Sequence, residues 1–179
     1  LRRRDGLTGT IALMLDDVAN PFSSGLHRAL EDAARVRGVA VFAASLDEDV
    51  TRERELADAF IARRVDGLVV VPIGRDQSHL VKEQASGTPI VCVDRPPRLL
   101  DADVVESDNR AGAREAVRHL IDHGHRRIAF LGDLETINTV TERLDGYLEA
   151  LRAAGVPFDS ELVRSNLRTS EQGCADRKS

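Results

Sequence analysis

The side chains best suited to chemistry are carboxylates and guanidinium groups in four short polar segments. These are Asp16-Asp17, Asp47-Glu48-Asp49, Ile73-Gly74-Arg75 and Asp94-Arg95. Each follows an apolar run, at residues 10–15, 39–44, 68–71 and 90–93. Runs this short, closed at once by turn residues, read as strands buried on both faces of a sheet. Parallel strands deliver all their following loops to one edge, and in open α/β sheets that edge binds ligands. Loops are also polar because they face water. Four acid- or Arg-bearing loops on one edge favour a polar-ligand site over plain solvation.

The same residues do not make an enzyme. The chain has no G-x-x-x-x-G-K phosphate loop, and no G-x-G-x-x-G follows its first strand. It has neither a G-x-S-x-G nucleophile elbow nor an H-E-x-x-H zinc motif. Nothing marks a nucleophile, a metal or a cofactor beside the loop carboxylates. His123 and His125 flank Gly124 at a helix end, where cations are favoured, and no carboxylate or Cys lies at metal-ligand spacing from them. Cys92 lies inside an apolar run and reads as a buried free thiol. With Cys174 it makes no disulfide scaffold, so a reducing compartment is expected.

The elements that must position these loops alternate. Asn20-Pro21 reads as a helix start, with Asn as N-cap and Pro at the first helical position. Leu26, Leu30, Ala33 and Ala34 recur at helical spacing, and Gly38 closes the helix. A second helix spans 51–64, with Leu56, Ala57, Phe60 and Ile61 on one face, and a weaker one lies around 79–85. Residues 104–107 form a short extended segment. A helix from Asp108-Asn109 carries Ala113, Ala116, Val117, Leu120 and Ile121. A buried strand at 128–131 precedes a helix bearing Leu144, Tyr147, Leu148 and Leu151, and residues 162–163 suggest one more strand. Segment 169–173 has the composition of a helix start without a helix after it. Strand and helix in alternation specify right-handed βαβ units in a parallel sheet.

The 179 residues are 42% hydrophobic and 31% charged, which describes a soluble globular protein, and no apolar run is long enough to span a membrane. Aromatics are 3% of the chain, which argues against a carbohydrate site built mainly of stacked rings. The net charge of −5 gives no general attraction for nucleic acid, and Arg2-Arg3-Arg4 is the one basic run.

Several runs, in order, resemble the effector-binding core of LacI/GalR-type bacterial transcription regulators. They include residues 9–22, Arg63-Arg64-Val65-Asp66-Gly67, Val93-Asp94-Arg95-Pro96, Asp108-Asn109-Arg110-Ala111-Gly112-Ala113, residues 124–132 and Glu142-Arg143-Leu144-Asp145-Gly146-Tyr147. The resemblance implies a two-lobed α/β fold of the periplasmic-binding-protein-like type. Residues 1–8 would end a hinge or linker, 9–106 would form the first lobe, 107–173 an incomplete second lobe, and 174–179 a polar tail. A small effector, a sugar, polyol or nucleobase, would bind between the lobes. Carried over by position, its contacts are Asn20, Phe22 and Asp94, then Thr139, Arg143 and Leu167. Read from the helix alone, Arg143 could equally pair with Asp145 or Glu142. Leu167 stands where the family often has an aromatic residue, which weakens a stacking role.

The resemblance further implies a cytoplasmic, dimeric repressor that reaches operator DNA through a helix-turn-helix not found in these residues. A periplasmic sugar-binding protein of a transport system is the alternative. The 179 residues by themselves are expected to show no preference for operator over random duplex in a gel-shift assay at physiological salt, because basic side chains alone contact phosphates without reading sequence. A clear preference would contradict this.

Overall fold

The computed structural model describes residues 6–167. Arg2-Arg3-Arg4, segment 169–173 and the tail with Cys174 lie outside the described residues. The chain divides into two compact units between Glu106 and Ser107.

The first unit is a five-stranded, wholly parallel sheet. β1 (Thr10–Leu15), β2 (Ala40–Ser45), β3 (Leu68–Val70), β4 (Ile90–Val93) and β5 (Asp103–Val105) stand in the order β2-β1-β3-β4-β5. The extended segment expected near 104–107 is therefore a fifth strand, paired to β4. Helices α1 (Pro21–Val36) and α2 (Val50–Ala62) make the crossovers; a 3₁₀ turn (Ser78–Leu80) and α3 (Val81–Ala85) lie between β3 and β4. Alternation along the strands divides the core. Leu13, Leu15, Val71 and Val93 meet Leu26 and Leu30 of α1 on one face. Ala12, Met14, Leu68, Val70, Ile90 and Cys92 meet Ala57, Leu56, Phe60 and Ile61 of α2 on the other. Each fully buried Leu, Val or Met stabilises by about 1.5–3 kcal/mol, so the two faces together hold the sheet.

Local chemistry sets the element ends. Asn20 has extended backbone and accepts from the Phe22 N–H at 3.0 Å, with Pro21 following at N1. Gly38 takes the left-handed φ of +67° that closes α1. Asp66 fixes the start of β1. It accepts from the backbone N–H groups of Thr8, Gly9 and Thr10 and from the Thr8 hydroxyl. Burial would raise its pKa, but these bonds outweigh that and hold it below the usual carboxylate value.

The second unit comprises α4 (Asn109–Asp122), β6 (Phe130–Leu131), α5 (Asn138–Ala153), a 3₁₀ turn (Ser160–Leu162) and β7 (Val163–Arg164). β6 and β7 pair in parallel. The strand expected at 128–131 is shorter than its apolar run. Only Phe130 and Leu131 join a ladder, and Leu131 is 55% exposed. Ile128 is buried, but its carbonyl accepts from the Tyr147 hydroxyl at 2.9 Å, a side chain and not a neighbouring strand. The strand expected at 162–163 is likewise displaced by one residue, to Val163–Arg164.

Val117 and Ile121 of α4 pack on Tyr147, Ala150 and Leu151 of α5. Gly146 sits at the closest approach of these helices. A Cβ there would lie 3.0 Å from the Arg114 nitrogen, 3.1 Å from the Ala113 Cβ, and nearer still to the Arg110 carbonyl oxygen. Gly→Ala inside a helix normally gains about 1 kcal/mol. Here the obstacle is backbone, so overpacking, at about 1–3 kcal/mol, should win. Gly146→Ala is expected to lower the midpoint of denaturant unfolding; an unchanged or higher midpoint would contradict the close crossing.

Candidate functional site

Arg95 organises the carboxyl edge of the first sheet. It follows β4, and its side chain is 9% exposed. Its two terminal nitrogens donate to the two oxygens of Glu48, Nη1 to Oε2 at 3.1 Å and Nη2 to Oε1 at 2.6 Å. Nη2 is also 3.6 Å from Asp16, and Nε is 3.6 Å from Asp94. Burial by itself would lower the Arg95 pKa. The Glu48 hydrogen bonds and the charges of Glu48, Asp16 and Asp94 outweigh it and raise the value further. One guanidinium thus ties together the loops after β1, β2 and β4.

The backbone of that edge is unusual. Asp47, Glu48 and Asp94 have φ of +54°, +58° and +66°. Asp tolerates the left-handed region better than most residues, whereas Glu48 there carries a cost that the fork to Arg95 can hold in place. Asp16 also accepts from the hydroxyl of Ser23, a buried residue in the first turn of α1, which draws that helix start to the same edge. Asn20 and Phe22 lie at this helix start. Asn20 caps the helix, and Phe22 is 52% exposed. Asn20, Phe22 and Asp94 therefore share one edge of one sheet.

The β3 loop is held from beneath. The Glu53 carboxylate, on α2, is 1% exposed and accepts from the Ile73 N–H at 2.5 Å. Burial raises its pKa to about 7, against smaller opposing effects from that bond, Gln77, Arg54 and Arg95. His79 Nε2 lies 3.4 Å away. Burial is also the main cause that lowers the His79 pKa, followed by the Arg54 charge, so burial disfavours the charged form of both partners in this contact. Glu53 is legible in hindsight: it precedes Leu56 and Ala57 by three and four residues, on the apolar face of its helix.

In the second unit, Thr139 and Arg143 lie four residues apart, in the first two turns of α5, which puts them on one helical face. Thr139 is buried at 5% exposure. Arg143 does not pair with Asp145 or Glu142. Its Nε donates to Asn109 Oδ1 at 2.7 Å, and the Asn109 amide donates to the Ser107 carbonyl at 3.1 Å. Leu167 follows β7, and its N–H donates to the Gly132 carbonyl just past β6. Thr139, Arg143 and Leu167 thus gather at the carboxyl edge of the second sheet, as the other three do in the first.

Burial, and secondarily the Glu53 charge, push the Cys92 thiol up to about 11, so it is no thiolate nucleophile near neutrality. Among the described residues no group of three or more His, Cys, Asp or Glu could hold a metal ion, and no helix is long and apolar enough to cross a membrane.

A family model for periplasmic binding proteins and the sugar-binding domain of the LacI family matches residues 8–175. The transcriptional regulator CelR of Thermobifida fusca is 33% identical over 175 residues, covering 94% of this chain and 51% of that protein. Among solved structures, the Cra transcriptional dual regulator of Pseudomonas putida in complex with fructose 1-phosphate is 30% identical with a TM-score of 0.79, covering 88% of this chain and 57% of that one. A complex of the regulator CelR with cellobiose is 29% identical with a TM-score of 0.80, covering 99% of this chain and 56% of that one. The chain spans about half the length of the curated relatives it matches.

The Glu53 geometry carries a pH prediction. Its folded pKa of about 7 lies above the ordinary 4.5. Between these values the folded chain keeps a proton that the unfolded chain has released, so this group's contribution falls as pH rises through the window and levels off above it. A second comparison, with His79→Gln in both wild type and Glu53→Gln, removes the neighbouring imidazole from the pH dependence. The stability of Glu53→Gln relative to wild type should therefore rise across that window in urea unfolding series. A difference that does not change with pH would show that Glu53 is not held in its neutral form.

Proposed function

The chain belongs to the family of periplasmic binding proteins and LacI-family sugar-binding domains, and from that premise we propose that it is the effector-sensing core of a LacI/GalR-type transcriptional regulator. The observation that carries this reading is the family match over residues 8–175, on a parallel sheet whose carboxyl edge collects polar side chains from successive loops. The matched curated relatives are regulators, which favours this role over sugar capture for transport and over catalysis.

The effector in this reading is a small polar molecule, a sugar first, contacted by Asn20, Phe22 and Asp94 and by Thr139, Arg143 and Leu167. The Asp94 carboxylate accepts from hydroxyl groups, and the Arg143 guanidinium donates to them. Such charge-assisted bonds are stronger than neutral ones in a site from which water is excluded. Phe22 offers an apolar face to the ring hydrogens of a sugar. Leu167 adds apolar cover without stacking. The regulator acts as a homodimer in the cytoplasm and reaches its operator through a helix-turn-helix. Effector binding changes the affinity for DNA by favouring one conformation of the core over another, and by no more than its own difference in affinity for the two.

Asp94→Asn and Arg143→Ala test the contacts. Asn tolerates the left-handed backbone at position 94, so that variant removes charge with little added strain. Each substitution should weaken effector binding by about 1.5–3 kcal/mol in calorimetric titration, measured at a temperature where thermal unfolding shows the variant still folded, since each change also removes a partner from a buried group. Wild-type affinity in both variants would remove these two residues from the site.

A further inference from the structure

Helix α4 ends on two imidazoles that effector binding does not use. His119 lies in its last turn, and His123 caps it four residues on, so both project from one helical face. Both are exposed. Their rings are in contact, with centroids 4.2 Å apart and planes inclined at 42°. His123 Nδ1 is 2.8 Å from the His119 carbonyl oxygen. A carbonyl only accepts, so Nδ1 carries the proton of the neutral ring, and the lone pair of Nε2 is left free. Metal-binding histidines are commonly held in this way, one ring nitrogen donating to a backbone carbonyl while the other faces the ion.

We propose that His119 and His123 form a site for one divalent late transition-metal ion, of the Zn²⁺ or Cu²⁺ class, with water completing its coordination. Two histidines at this spacing on one helical face can share a single ion. Metal–nitrogen bonds of about 2.0–2.1 Å put two ligating nitrogens roughly 3 Å apart. Exposed rings already in contact reach that separation by small rotations. The carbonyl end of a helix also favours a cation. Among the described residues no third His, Cys, Asp or Glu completes a cluster, so the site is open and not a closed cage. That donor set selects the ion. Imidazole nitrogen suits Zn²⁺, Ni²⁺ and Cu²⁺, with Cu²⁺ the tightest, whereas Mg²⁺ and Ca²⁺ require oxygen ligands. The pair lies at the opposite end of α4 from Asn109, which holds Arg143. The helix puts about 15–20 Å between them, so the metal site is separate from the proposed effector contacts.

Calorimetric titration of the full chain with Zn²⁺ tests this, in a Cys174→Ser background so that this thiol does not compete. A single ion should bind per chain, and Mg²⁺ should give no binding signal. A partner that merely orients a ligand is worth about 10–100-fold in metal affinity, so losing a ligand outright, in His119→Gln or in His123→Gln, should weaken Zn²⁺ binding at least ~10-fold. His125→Gln removes an exposed imidazole just past the helix and outside the pair, and should leave the affinity unchanged. Cu²⁺ on the chain should show splitting from two nitrogens in electron paramagnetic resonance, and from one in either pair variant. Thermal unfolding without metal checks that each variant is folded. A chain that does not bind Zn²⁺, or that binds it equally well in both pair variants, would overturn the proposal. So would a loss in His125→Gln as large as in the pair variants.

Discussion

A buried guanidinium shared among carboxylates from three loops is the interaction on which the carboxyl edge of the first sheet depends. The order β2-β1-β3-β4 separates β2 from β4 by three inter-strand steps, about 14 Å at the usual spacing. The Arg95–Glu48 fork nevertheless joins the loops that follow them. Removing one partner of such a buried pair commonly costs about 3–5 kcal/mol, because the other charge is left without compensation. Replacing the whole cluster by apolar side chains would cost far less, so the cluster is a poor source of net stability. Its contribution is positional. It ties the left-handed backbone at Glu48 and Asp94 to one buried guanidinium.

The second unit reaches a similar end by different means. Arg143 is oriented by a neutral amide, Asn109, which is itself fixed by the Ser107 carbonyl. The helices that carry these residues cross closely because position 146 has no side chain. Both units place their candidate residues where strand carboxyl ends meet helix starts. Backbone geometry fixes that location, and side-chain pairing then tunes it.

Most of the first unit was legible in sequence. Asn20-Pro21 and Gly38 bound α1 as their local chemistry requires, and the apolar run at residues 10–15 is buried against both core faces, as a strand covered on both sides must be. The short strand β6 was not legible at its true length, because an apolar run reports burial and says nothing of which partner takes the backbone hydrogen bonds. Ile128 is buried as expected, yet its carbonyl is taken by Tyr147. Of the site, the loops were visible as polar segments, and Asp94 and Arg143 came from resemblance to a family. Their pairings were not visible. Arg95 with Glu48 and Arg143 with Asn109 are 47 and 34 residues apart, and no local pattern encodes such contacts.

In the proposed effector-binding reading Asp94 meets the ligand while Arg95 stays paired with Glu48. A crystal structure with the free sugar that most stabilises the chain would test it directly. The account predicts sugar hydroxyls hydrogen-bonded to the Asp94 carboxylate, with both bonds from Arg95 to Glu48 intact. A sugar bound away from Asp94, or an Arg95 side chain that leaves Glu48 to contact the ligand, would contradict it.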